Sequence, residues 1–265
     1  MKLQTLSASS ATATAFIVLS FLMTASAMPI PQLTLAPRAH DGSFQSTNWS
    51  GYAVTGASGS VSDAKGSWTV PAIQGSCTST NQYSSFWVGI DGFSSGTVEQ
   101  TGTDSDCQNG VPTYYAWYEF FPHPSFLISG LTISPGDHIS AEAHFNGRSF
   151  VVTITDTSTG HSFSTAAKVR GAQRSSAEWI AEAPSSSGGI LPLANFGTVS
   201  YGTDNTGVAM TCYATISGTT AAIGAFGSST QQITMVSGSG SVKAQPSALS
   251  SDGTSFSVTW QSSGP

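Results

Sequence analysis

Short runs of alternating apolar and polar residues, broken by clusters of Gly, Pro, Ser and Asn, follow one another along most of the chain. A period of two marks half-buried strands, and no window of a dozen residues keeps a helical period. Strands are predicted over 85–91, 113–121, 138–146, 149–156, 176–183, 196–201, 210–216 and 255–260. Further strands are expected in the Gly- and Ser-rich region beyond Gly218. The pattern is that of an all-β protein, a β-sandwich.

The same period sorts the side chains into faces. Phe86, Val88 and Ile90 point one way and read as core, while Trp87, Gly89 and Asp91 point the other and suit the floor of a cleft. Tyr115, Trp117 and Glu119 share a face, and Gln100, Gly102 and Asp104 align if 98–104 is extended. Glu178 and Glu182 share a face with Ile180, opposite Trp179. Three of the five glutamates thus fall in aromatic-rich strands instead of loops. A carboxylate on a partly buried face is costly unless it is paired or used. Singly each reads as a satisfied edge residue; together with Trp87, Trp117 and Gln100 they suggest a concave polar-aromatic site that could bind a peptide or a sugar.

Composition narrows the setting. Only 8% of residues are charged, well below the usual ~25%, so solubility rests on Ser, Thr, Asn and Gly. Lys and Arg are few and scattered, which argues against a nucleic-acid groove. The net charge of −6 near neutrality must reverse once 14 carboxylates protonate beside eight Lys and Arg and five His. With few salt bridges to lose as pH falls, the composition suits an acidic exterior. The apolar run from Ala15 to Met23, followed by Ala25-Ser26-Ala27, reads as an export signal over 1–27, too short to span a membrane. Residues 28–43 form a short leader or pro-segment, and 44–265 a single domain. The protein is expected to be secreted, extracellular and monomeric. Cys77 and Cys107 flank a strand pair and are expected to form a disulfide, leaving Cys212 as a buried thiol.

Familiar chemistries are poorly supported. The five histidines show no metal-ligand spacing, and there is no G-x-S-x-G elbow. Asp104 and Asp252 are not followed by the Thr-Gly or Ser-Gly of a paired-aspartate peptidase.

Six segments in order carry a resemblance. Asn48-Trp49-Ser50-Gly51-Tyr52, Trp68-Thr69-Val70-Pro71, Phe86 to Gly92 (FWVGIDG), Val98-Glu99-Gln100-Thr101-Gly102, Tyr115 to Glu119 (YAWYE) and Ala177-Glu178-Trp179-Ile180 resemble the glutamic peptidases, or eqolisins. The resemblance implies two large antiparallel sheets and a pepstatin-insensitive acid endopeptidase acting on protein or peptide substrates. It also implies a catalytic pair, Gln100 and Glu178, without metal or cofactor. Trp87, Asp91 and Asp104 match positions lining the cleft, and Glu119 is placed beside them by motif and face. The leader from Met28 to Ser43 departs from the longer, lysine-bearing pro-segment of fungal members, since it carries only Arg38. Asn48-Trp49-Ser50 is formally a glycosylation sequon, but in a segment expected to be buried. The alternative is a carbohydrate-binding or glycoside-hydrolysing sandwich with Trp87 and Trp117 as sugar platforms. Glu182, about 7 Å along the strand from Glu178, is the rival for the role of base.

Overall fold

The computed structural model describes residues 43–264; the expected signal peptide and all but the last residue of the leader lie outside them. The strands run β1 (Ser43–Ser46), β2 (Trp49–Thr55), β3 (Val61–Thr69), β4 (Ser85–Ile90), β5 (Val98–Gln108), β6 (Val111–Phe121), β7 (Phe126–Leu127), β8 (His138–Phe145), β9 (Phe150–Asp156) and β10 (His161–Ala167). They continue with β11 (Ser176–Glu182), β12 (Ser185–Ser186), β13 (Gly189–Ile190), β14 (Thr198–Gly202), β15 (Tyr213–Ile216), β16 (Thr219–Ala222), β17 (Thr230–Val236), β18 (Val242–Pro246) and β19 (Ser255–Trp260). One helical turn, Thr203–Thr206, and a 3-10 segment, Ile223–Ser229, complete the described chain. None of its helices is long and apolar enough to cross a membrane.

One layer carries β17, β2, β11, β4, β5 and β6 side by side, all antiparallel. The other carries β10, β9, β8 and β3, then β14, β19 and β18. Strand β17 belongs to both: Thr230 to Ile233 pair with β2, whereas Met235 and Val236 pair with β18 across a register shift. The core lies between the layers, with Tyr52, Phe86, Val88, Ile90 and Trp179 facing Trp68, Ile139, Val152, Ile154, Tyr201 and Phe256. The expected in-facing set of β4 is therefore in place, and Trp179 is on the core side, opposite Glu178 and Glu182. Its indole N–H donates to the Lys65 carbonyl at 2.7 Å, which satisfies the one polar atom of a fully buried ring.

The expected disulfide joins Cys77 to Cys107 and ties the connection after β3 to the end of β5. Cys212 is a buried free thiol, pushed up to about 12 by burial, which keeps it protonated and inert.

The layer carrying β4 and β5 has a second, outward face that is nearly as closed as the core, and Gly102 on β5 shows how tightly. A methyl group there would meet the Phe86 carbonyl oxygen at 2.3 Å and Trp87 Cβ at 2.7 Å. Gly102→Ala is expected to lower stability by about 3 kcal/mol, the upper range for overpacking. A shift of under 0.5 kcal/mol in urea denaturation would show that the strands separate freely at this point.

Candidate active site

Five adjacent strands place their outward side chains in three rows. The first row runs Ala53, Glu178, Gly89, Gln100, Glu119; the second Gly51, Ile180, Trp87, Gly102, Trp117; the third Trp49, Glu182, Ser85, Asp104, Tyr115. Each row follows from the register, because directly paired residues project to the same side of a sheet. Glycine in rows one and two lets the neighbouring side chains close in: a methyl group at Gly89 would meet Gln100 Cβ at 3.1 Å and the Trp87 ring at 3.2 Å. Trp49, Ala53, Trp87, Val98, Trp117, Ile180 and Ile233 form an apolar bed around the polar groups.

Gln100 donates from Nε2 to Glu119 Oε2 at 2.6 Å, while its Oε1 is buried without a partner. Glu182 accepts from Trp87 Nε1 at 2.8 Å on one oxygen and from Asn48 Nδ2 at 3.2 Å on the other. Asn48 is itself aimed: the Ser46 hydroxyl donates to its carbonyl oxygen at 3.0 Å, which turns the amide nitrogen toward Glu182. The sequon side chain is thus fully buried and committed.

The carboxyl groups fall into two clusters. Glu119 and Glu182 feel each other's charge; burial, with a smaller contribution from Glu182, pushes Glu119 up to about 8. Burial likewise raises Glu182 to about 7, against the hydrogen bonds of Trp87 and Asn48 and the pull of the Trp49 indole. Glu178 belongs to the second cluster, with Asp91 and Glu99. Burial holds it well above the carboxylate range, and neither of its oxygens has a hydrogen-bond partner of good geometry. Glu178 is 0% exposed, against 8% for Glu182, 6% for Glu119 and 3% for Gln100. Of the two candidates on β11, only Glu182 lies in the cluster with Glu119 and Gln100 and keeps contact with solvent.

Asp91 and Asp104 are otherwise occupied. Asp91 follows β4 at a positive φ of 71°, leaving the face of Trp87 and Gly89. Its carboxylate accepts from the backbone N–H groups of Gln173, Arg174 and Ser175 at 2.7, 2.6 and 2.9 Å, and from the Ser175 hydroxyl. It anchors the segment before β11 and has no free lone pair for a substrate. Asp104 stays in its row, yet it accepts from the Tyr115 hydroxyl at 2.8 Å and from the Trp117 indole. Burial, then the charge of Asp106, raises it well above its usual value. It steadies two aromatic walls of the hollow.

Sequence reasoning named Gln100, Glu119 and Trp87 for this face, and they lie there together. It missed Ser46, Asn48 and Trp49 as parts of the site. The only signal for them was the first of the six segments, whose position beside Glu182 depends on the β2–β11 pairing. Elsewhere, among the described residues, Asp63, Glu142 and His144 come within metal-ligand reach of one another. The Lys65 ammonium already serves the two carboxylates there, at 3.8 and 3.3 Å.

Known proteins resemble this chain in sequence and fold. Aspergillopepsin-2 of Aspergillus niger is 31% identical over 180 residues, 59% of this chain and 62% of that protein. Scytalidopepsin B of Scytalidium lignicola is 38% identical over 94 residues, 35% of this chain. These matches therefore span 62% and 33% of the lengths of the two curated relatives. The crystal structure of scytalido-glutamic peptidase with a transition state analog inhibitor superposes with a TM-score of 0.66 and 26% identity, covering 81% of this chain and 98% of that one. That of aspergilloglutamic peptidase from Aspergillus niger gives 0.57 and 29%, covering 68% and 99%. Residues 47–252, which hold all three rows of the site, match the family profile throughout, and the chain belongs to the Peptidase A4 family.

Proposed function

We propose that this protein is a secreted endopeptidase that hydrolyses protein substrates at acid pH, with Glu182 as the proton carrier and Gln100 as the oxyanion donor. The observation that carries the reading is the gathering of Gln100, Glu119 and Glu182 around Trp87 on a face that also retains solvent contact. Sequence reasoning assigned the base to Glu178; full burial, the lack of a well-aligned hydrogen bond and the company of Asp91 and Glu99 favour Glu182 instead.

The chemistry follows from the atoms. Ionised Glu182 takes a proton from water as the water oxygen attacks the scissile carbonyl carbon. Gln100 Nε2 spends one hydrogen on Glu119, and its second is free to donate to the developing oxyanion. When the intermediate collapses, the C–N bond breaks and Glu182 returns the proton to the amine. Burial raises Glu182 to about 7, so only a small fraction is ionised at acid pH and the reaction draws on that fraction. The Trp87, Trp49 and Asn48 side chains already pull this value down, toward the charged form.

A sugar-binding reading finds less support. Trp87 and Trp117 are 0% and 4% exposed, so neither ring offers a face for a sugar to stack on.

The test is hydrolysis of denatured haemoglobin at pH about 3, near carboxylate pKa values, with pepstatin present. Gln100→Ala is expected to lower kcat by about 10²–10³, as loss of one preorganised oxyanion donor does elsewhere. Unchanged kcat in a folded Gln100→Ala protein, or no hydrolysis by the mature wild type, would overturn the reading. A panel of glucans would then be the next substrates to try.

A further inference from the structure

Four of the eight Lys and Arg fall between positions 148 and 174: Arg148, Lys168, Arg170 and Arg174. Among the described residues none of these four has a carboxylate within ion-pair distance; Lys65 is the cation that does. Three of them line one cavity of about 300 Å³ where the β8–β9 hairpin meets the segment leading into β11. Phe145, Val169 and Ala172 supply its apolar wall. The Arg174 guanidinium lies 4.2 Å from the centre of the Phe145 ring, and its Nη1 donates to the Val61 carbonyl at 3.4 Å, so this cation is fixed in place. Arg148 and Lys168 are exposed and free.

Unpaired cations converging on a partly apolar cavity, in a chain of net charge −6, make a local attractor for an anion. Arginine forks fit carboxylate oxygens in pairs, and the apolar wall selects for an anion borne on carbon. A nucleic acid would need a track of phosphate contacts, whereas these charges surround one residue-sized hollow. The cavity is also tied to the cleft. The backbone of Gln173, Arg174 and Ser175 is held by Asp91, the residue that follows β4, and β11 begins at Ser176.

We propose that this cavity is an exosite for an acidic segment of a polypeptide, with an Asp or Glu carboxylate on Arg148 and Lys168 and a neighbouring apolar side chain against Phe145. The proposal rests on the reading that polypeptides are the substrates, but its test measures binding and not hydrolysis.

The probe is acetyl-Phe-Asp-Asp-amide against acetyl-Phe-Asn-Asn-amide, titrated calorimetrically at pH about 6, where Asp is ionised. The Asp peptide is expected to bind about fivefold tighter, the ratio that about 1 kcal/mol of exposed charge pairing supplies. The preference should fade as salt rises from about 20 to about 300 mM, vanish in the Arg148→Gln/Lys168→Gln double variant, and persist in Glu182→Gln. The two substituted side chains of the double variant are exposed, so its fold should hold, and circular dichroism checks this. Equal affinity for the two peptides, or a preference that survives the double substitution, would overturn the proposal. Inorganic phosphate that competes at the same concentration as the Asp peptide would also overturn it, since the site would then be a general anion trap. Loss of hydrolysis in Glu182→Gln with the binding preference intact separates this proposal from the catalytic one.

Discussion

Glu182→Gln is expected to remove hydrolysis almost completely, by about 10³-fold or more in kcat, while Glu178→Gln keeps activity within about tenfold of the wild type. The two substitutions are chemically identical and lie two strand steps apart on the same face, so the contrast isolates position. In Glu182→Gln the amide can still accept from Trp87 and keep the hollow filled, yet it cannot take a proton from water. The loss should therefore fall on kcat with KM little changed. In Glu178→Gln a buried carboxyl that already holds its proton is replaced by a neutral group of the same shape. Near-UV circular dichroism of both proteins guards against a folding defect. Activity lost in Glu178→Gln and kept in Glu182→Gln would return the base to Glu178 and place the reaction at the Asp91 end of the strand.

Thermal stability is expected to be highest in acid and to fall steeply toward neutrality. Glu99 is pushed up to about 9, first by burial and then by the charge of Asp91, and Glu119 to about 8. Asp63 is raised to about 7 and Asp106 to about 6. A folded-state value above the unfolded one means that the native protein binds more protons in between. Its contribution to stability is complete below the unfolded value near 4.5 and is lost as pH rises through the folded value. From pH about 4.5 to 7, each of Glu99 and Glu119 removes roughly 3 kcal/mol. Together that corresponds to a fall in Tm of roughly 15–20 °C for a domain of this size. The opposing loss in acid is small, because Lys65 with Asp63 and Glu142 makes the ion pairs found among the described residues. Glu99→Gln, neutral at every pH, should remove that one carboxyl's share of the slope, roughly 3 kcal/mol between pH about 4.5 and 7. A Tm that rises from pH 4 to 7, or a slope that Glu99→Gln leaves unaltered, would count against this account.

Much of this was legible in the residues. Phe86, Val88 and Ile90 against Trp87 and Gly89 gave both faces of β4, because one apolar and one mixed face leave only one consistent burial. The same held for β6 and β11. Strand β2 was readable only as a segment of the family resemblance. Trp49, Ser50, Gly51 and Tyr52 are buried on both faces, so the segment shows no alternation. Strand β10 hid for the opposite reason: Ser162, Ser164 and Ala166 alternate with nothing that is fully buried. The choice between Glu178 and Glu182 was not legible, since a period of two puts both on one face. What separates them is which donors reach each end of β11, and those come from Asn48 and Trp87. Asp91 misled because strand alternation was carried one residue too far, into a turn that points its carboxylate at a different segment.

In mechanical terms, β17 is a seam. Its first half is laced to β2 in the layer of the candidate site and its second half to β18 in the opposite layer. A force that tries to open the sandwich like a book must therefore shear a single continuous strand instead of peeling two surfaces apart. The hollow above Trp87 is set in one of the covers, so its width should be insensitive to such breathing, and substrates must fit the cleft by shaping themselves to it.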